Sequence, residues 1–118
     1  MKGLVPVKTI KPMEIWLISH TDPTGHEQTG IHPAIVVAVH KETNLSTVVP
    51  LTSQTDATRF PYTQQIQSSN QNGLDRDSVA MIFQTTCADF CRFTRRLGIL
   101  EQTHFDRIAI LLKHYLKL

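Results

Sequence analysis

The sequence predicts a mostly β domain: a strongly bent antiparallel sheet or half-open barrel that carries one C-terminal α-helix. Three observations lead there. Between residues 13 and 100 the apolar residues gather in short, partly β-branched runs, as strands do. Stretches rich in Gly, Pro, Asn and Asp separate those runs, which is turn chemistry rather than helix. Helical spacing shows clearly only near the end, at Phe105, Ile108, Leu112 and Tyr115. Several strands followed by a single helix form a segregated arrangement in which the helix lies across the sheet.

The elements follow in order. Residues 1–12 read as a flexible N-terminal arm ending at Pro12, and 13–118 as one domain. Met13–His20 is the first strand. Thr21–Pro33, TDPTGHEQTGIHP, reads as a shaped loop, with Pro23 and Pro33 fixing φ and Gly25 and Gly30 permitting unusual backbone angles. Ala34–His40 is a near-continuous apolar run and therefore a central, buried strand. Lys41–Ser46 is a turn, with Asn44 as the residue for a left-handed backbone angle. Thr47–Ser53 is a strand whose Pro50 calls for an edge or a bulge. Gln54–Pro61 is a polar, mobile loop, Tyr62–Gln67 an edge strand, and Ser68–Asp77 a loop turning at Asn72-Gly73. Ser78–Phe83 is a strand, Thr86–Cys91 a short helical turn, Arg92–Leu100 the last strand and Gln102–Leu116 the helix.

Composition narrows the function. A chain of 118 residues with 41% hydrophobic content can bury a core without disulfide or metal staples. A net charge of +2 and a pI near 8.7 allow a nucleic-acid partner without demanding one. There is no apolar run near membrane-spanning length and no secretory h-region, so a cytoplasmic protein without a membrane role is expected. Cys87 and Cys91 make no disulfide framework and no structural zinc site; they read as buried free thiols. No cofactor motif and no metal-ligand spacing among the six histidines is evident.

What remains for chemistry is the polar loop, with Glu27, Gln28 and His32, together with Thr52 and the arginines. His32 abuts a rigid strand. Arg92, Arg95 and Arg96 form a basic cluster suited to phosphate through the planar guanidinium fork. Arg59 sits beside Phe60, a cation next to an aromatic. Trp16 could stack on a base, although a Trp within an apolar run is usually core.

Several blocks together resemble the MazF/PemK family, the toxins of toxin–antitoxin pairs. They are Glu14-Ile15-Trp16, Asp22-Pro23-Thr24-Gly25-His26-Glu27-Gln28, Pro33-Ala34-Ile35-Val36-Val37, Val49-Pro50-Leu51-Thr52-Ser53, Asp75-Arg76-Asp77-Ser78-Val79 and Gln84. The resemblance is collinear over residues 13–117. It implies an SH3-like barrel with a C-terminal helix, a homodimer, and a metal-independent, cofactor-free endoribonuclease acting on single-stranded RNA. In such toxins the RNA's own 2′-OH attacks the adjacent phosphate, leaving 2′,3′-cyclic phosphate and 5′-OH ends, and an antitoxin blocks the RNA groove.

The departures matter as much. Where the family pattern has its principal catalytic arginine, this chain has His32. The strand threonine is kept as Thr52. A basic position two residues after Gln84 is Thr86, while Arg92 falls on the next basic position. The resemblance therefore implies catalytic roles for His32 and Thr52, with Trp16, Glu27, Gln28, Arg59, Gln84 and Arg92 binding RNA or shaping its loops. An imidazole can move protons where an arginine cannot, so the replacement is compatible with activity. The rivals are an impaired toxin that only binds its antitoxin, and a toxin of the CcdB kind that contacts DNA gyrase on the same barrel.

Overall fold

The computed structural model describes residues 8–20 and 30–118; Glu27 and Gln28, and with them most of the expected loop, lie outside those residues. Among the described residues seven strands share one sheet: β1 Glu14–His20, β2 Gly30–His40, β3 Leu45–Thr52, β4 Thr63–Ile66, β5 Ser78–Met81, β6 Thr86–Asp89 and β7 Phe93–Ile99. The helix α1, Gln102–Leu116, follows. Neighbours run β4-β5-β3-β2-β1-β7, with β6 added to β3. Every pairing is antiparallel and the path does not close on itself. The bent antiparallel sheet with one terminal helix is thus the observed architecture, and the helix bounds agree with its 3.6-residue spacing.

Alternation along the central strands splits the core in two. Ile35 of β2 meets Ile15, Val49 and Leu51 in a core that α1 covers through Phe105, Ile108, Leu111 and Leu112. Its neighbours Ala34 and Val36 face the other way, toward Trp16, Ile18, Val48 and Phe93. A strand buried on both faces has no polar side to show, so Ala34-Ile35-Val36 reads as an unbroken apolar run.

Several expectations need correction. β2 starts at Gly30, not at Ala34, so Gly30–Pro33 belong to a strand rather than to a loop; they pair with Leu17–His20 of β1. Ile31 and His32 are exposed there, which removed the apolar signal. Pro33 is tolerated because β2 pairs only with β1 at that point, its ladder to β3 beginning at Ala34. The bulge falls at Val37 in β2, not at Pro50. Pro50 instead sits where β3 changes partners, from β6 at Leu45–Val48 to β5 at Leu51–Thr52. Thr86–Asp89 is a strand, because it completes the free side of β3; the helical turn is confined to a 3-10 helix at Phe90–Arg92. The polar stretch expected to be mobile holds a 3-10 helix, Thr55–Arg59, anchored by buried Ala57. Within the expected arm, Ile10 is buried against Trp16 and Phe93, so residues 8–12 pack on the sheet. Both cysteines are exposed rather than buried.

Asn72 ties the loops to the helix. Its Oδ1 accepts from the N–H groups of Ser69 and Leu74, each at 3.0 Å, and its Nδ2 donates to Gln67 O at 2.9 Å and Glu101 Oε1 at 3.1 Å. Gly73 follows with φ 72°, and a Cβ there would fall 2.0 Å from the Leu97 carbonyl oxygen. Only glycine lets this turn lie on the β7 backbone. Burial works to raise the Glu101 carboxyl, but hydrogen bonds from Ser69, its own backbone and Asn72, with His104 nearby, outweigh it and hold the group below its ordinary value of 4.5.

A carboxyl more acidic in the folded state stabilises fully above its ordinary value. That contribution fades as pH falls through 4.5 toward the lowered one. Glu101→Gln should therefore be less stable than wild type at pH 7 and lose less stability on acidification below pH 4.5. Urea midpoints measured at both ends of that range check this. Parallel acid losses in the two proteins would show that Glu101 does not carry the effect.

Candidate nucleic-acid interface

The site is built by the β2–β3 register. That ladder pairs Val36 with Val48, Ile35 with Val49 and Ala34 with Pro50. The ladder ends at that last pair, and His32 and Thr52 each lie two residues beyond it, on the face that Ala34 and Pro50 share. On its other side His32 pairs with Ile18 of β1. The two residues, drawn from distant parts of the sequence, thus lie together just past the end of that ladder and line the same clefts.

Two clefts meet there, and His32, Pro33, Leu51 and Thr52 line both. One, of about 370 Å³, runs toward β6 over Ile18, Val48 and Ala88 and is edged by Gln84, Cys87 and Arg92. The other, of about 430 Å³, runs toward β7 and carries Gln54, Asp75, Arg76 and Arg95. An apolar floor suits bases, and guanidinium groups on either side suit the phosphates between them.

Local structure aims the side chains. Thr52 Oγ1 accepts the Gln54 N–H at 3.2 Å, which orients the hydroxyl and leaves its own proton to donate. The His32 ring lies over Gly30, where a Cβ would come within 3.2 Å of Nε2. Gly30 serves here by lacking a side chain and not by an unusual φ. Arg92 closes the 3-10 helix Phe90–Arg92, whose start is capped by the Asp89 carboxylate accepting from Cys91 N–H at 2.9 Å. That backbone hydrogen bond, the hydrogen bond from the Cys91 thiol and nearby Arg92 hold the Asp89 carboxyl below its ordinary range, against a smaller effect of burial. The same carboxylate pushes the Cys91 thiol up. Among the described residues no group of three or more His, Cys, Asp or Glu side chains converges.

The profile of the PemK-like, MazF-like toxins of type II toxin–antitoxin systems matches residues 11–116. The chain belongs to this toxin family. Its fold is similar to that of MazF from Deinococcus radiodurans, at 20% identity and a TM-score of 0.76, over 95% of this chain and 100% of that one. A chain of the MazE–MazF crystal structure from the same organism gives 20% identity and 0.74 over 94% and 99%. An endoribonuclease solved in complex with its cognate antitoxin from a mycobacterial species gives 14% and 0.72 over 93% and 97%. No curated protein matches the sequence significantly.

Within this PemK/MazF toxin the expected residues separate. His32, Thr52, Gln84 and Arg92 come together around the clefts. Arg59 lines neither cleft; it pairs with Asp56 at 2.9 Å and lies 4.3 Å over the Phe60 ring. Trp16 is not a base-stacking platform. It is 8% exposed, edge-on to Phe93, and its indole N–H donates to Glu14 Oε1 at 2.9 Å. The arginine cluster divides: Arg92 and Arg95 serve different clefts, while Arg96 pairs with Glu14 Oε2 at 3.3 Å. Arg76 was not singled out from the sequence. The only signal was its place in Asp75-Arg76-Asp77, just before a strand.

Glu14 is therefore a structural hub, accepting from Lys11 N–H at 2.9 Å as well as from Trp16 and Arg96. Glu14→Ala leaves buried donors without an acceptor and should cost about 2–4 kcal/mol. Arg96→Ala, at a half-exposed partner, should cost less than about 1 kcal/mol. Urea unfolding of both variants checks the order; equal losses would contradict it.

Proposed function

We propose that this toxin is an endoribonuclease that cuts single-stranded RNA without a metal, at the point where His32 faces Thr52. The observation that supports this most is their shared place: an imidazole and an oriented hydroxyl lining the same two clefts, with Arg92 in the cleft on one side and Arg76 and Arg95 in the cleft on the other.

The reaction asks for three things. The 2′-OH must lose its proton as its oxygen bonds to phosphorus. The P–O5′ bond breaks, and the leaving 5′-oxygen must gain a proton. The crowded phosphorane needs its charge stabilised. In this reading His32 performs one of the proton transfers, which are worth on the order of 10²–10⁴-fold. Thr52 donates to a phosphoryl oxygen, and Arg92 supplies the positive charge that the family arginine would have brought. Products carry a 2′,3′-cyclic phosphate and a 5′-OH. Gln84 and the apolar floor of the first cleft hold a neighbouring base.

Two partners complete the reading: an antitoxin that occupies the RNA groove, and a second copy related by a two-fold axis. The apolar groove between Val37 and α1, lined by Phe105, Leu112 and Leu116, with Ile110 exposed beyond it, supports a covered helix face.

Incubation with a long single-stranded RNA in EDTA tests the proposal. Cuts at a recurrent motif with cyclic-phosphate ends are expected, with single-stranded DNA left intact. Thr52→Val keeps the β-branched shape without the donor and should slow cleavage by about 10²-fold while the fold survives. No cutting, equal cutting of DNA, or full activity in folded Thr52→Val would each count against it.

A further inference from the structure

At the far end of the same sheet face lies a third cleft, of about 530 Å³, that the cleavage reading does not use. Lys8, Lys11 and Lys41 line it over a floor of Val39 and Phe90, and no carboxylate lines it among the described residues. One lysine is held in place: Lys8 Nζ donates to Phe90 O at 3.1 Å and also to Phe93 O. Of the nearby acids, Asp89 accepts from Cys91 N–H, and Glu42 is exposed and does not line the cleft.

This cleft shares no lining residue with the first, but both lie against the same core. Ala88 and Arg92 line the cleavage cleft, and Phe90, in the same short 3-10 helix as Arg92, lines the lysine cleft. Along β2, Val39 lies seven residues from His32, roughly 23 Å. Arg92 beside the scissile position and a lysine track at the far end thus place positive charge at both ends of one sheet face, with half-buried Phe90 beside the lysines.

We propose that Lys8, Lys11 and Lys41 bind phosphates of the RNA strand flanking the cut, so that the toxin prefers RNA longer than its cleavage motif. This deepens the nuclease reading and rests on it. An RNA strand that runs on past Arg92 along this face meets positive charge again at the lysines, and such a contact is independent of base sequence.

The test uses 2′-O-methyl RNA of mixed sequence, which lacks the attacking hydroxyl, as 6-mers and 24-mers. Affinity is read by fluorescence anisotropy across a salt series. Wild type should bind the 24-mer more tightly. K8Q/K11Q/K41Q should weaken the 24-mer by about tenfold or more, flatten its salt slope by about 2, and leave the 6-mer unchanged. K11Q/K41Q keeps the Lys8 carbonyl contacts and should give about two-thirds of that change in slope. Unchanged 24-mer affinity and slope in both variants, in a wild type that cleaves RNA, would overturn the lysine track alone. Weakened antitoxin binding with unchanged RNA binding would assign the cleft to an acidic peptide and also overturn it. A wild type that neither binds nor cleaves any RNA would instead overturn the nuclease reading.

Discussion

The pairing of β2 with β3 is the constraint on which the rest depends. Side chains alternate faces along a strand, so a one-residue slip of β2 would turn Ile35 out of the helix-covered core that Val49 still faces and send His32 and Thr52 to opposite sides. The register that buries Ile35 against Val49 also brings His32 and Thr52 out at the same end of the strand pair and on the same face. Stability and site geometry are thus enforced by the same contacts. The bulge at Val37 localises the change: beyond it Val39 returns to the second core, so both ends of β2 contribute to one face of the sheet.

The middle of that face is a buried apolar core and its ends are polar. Trp16, Ile18, Val36, Val48 and Phe93 form the middle. Glu14 supports it from below by holding the Trp16 indole and the Arg96 guanidinium. One end opens at His32 and Thr52, the other at the three lysines. On the opposite face α1 covers the other core, and the Asn72–Glu101 network ties its first turn to the turn resting on β7.

Much of this was legible in the residues. The helix followed from its spacing, and the central strand from Ala34-Ile35-Val36-Val37. The left-handed turn at Asn44, with φ 58°, followed from the tolerance of that side chain. What escaped was set by pairing rather than by local sequence. Gly30–Pro33 look like loop because their side chains face solvent, and Thr86–Asp89 look indistinct because β3 alone makes them a strand. Pro50 was correctly a place where a ladder is interrupted, but a change of partner and not a bulge supplies the interruption. The site divides in the same way. His32, Thr52, Gln84 and Arg92 were marked by the family pattern and do meet. Trp16, marked by the same pattern, is a core residue, because a motif records what a fold needs as well as what a reaction needs.

The account turns on His32 as the group that moves a proton. Its most direct test is the pH dependence of single-turnover RNA cleavage between about pH 5 and 8, where an imidazole changes charge. Wild type and His32→Gln should be compared under identical conditions. The account predicts a titrating limb in wild type that is absent in His32→Gln, together with loss of most of the rate. The same rate and the same profile in both proteins would remove His32 from the chemistry and contradict the site proposed for this toxin.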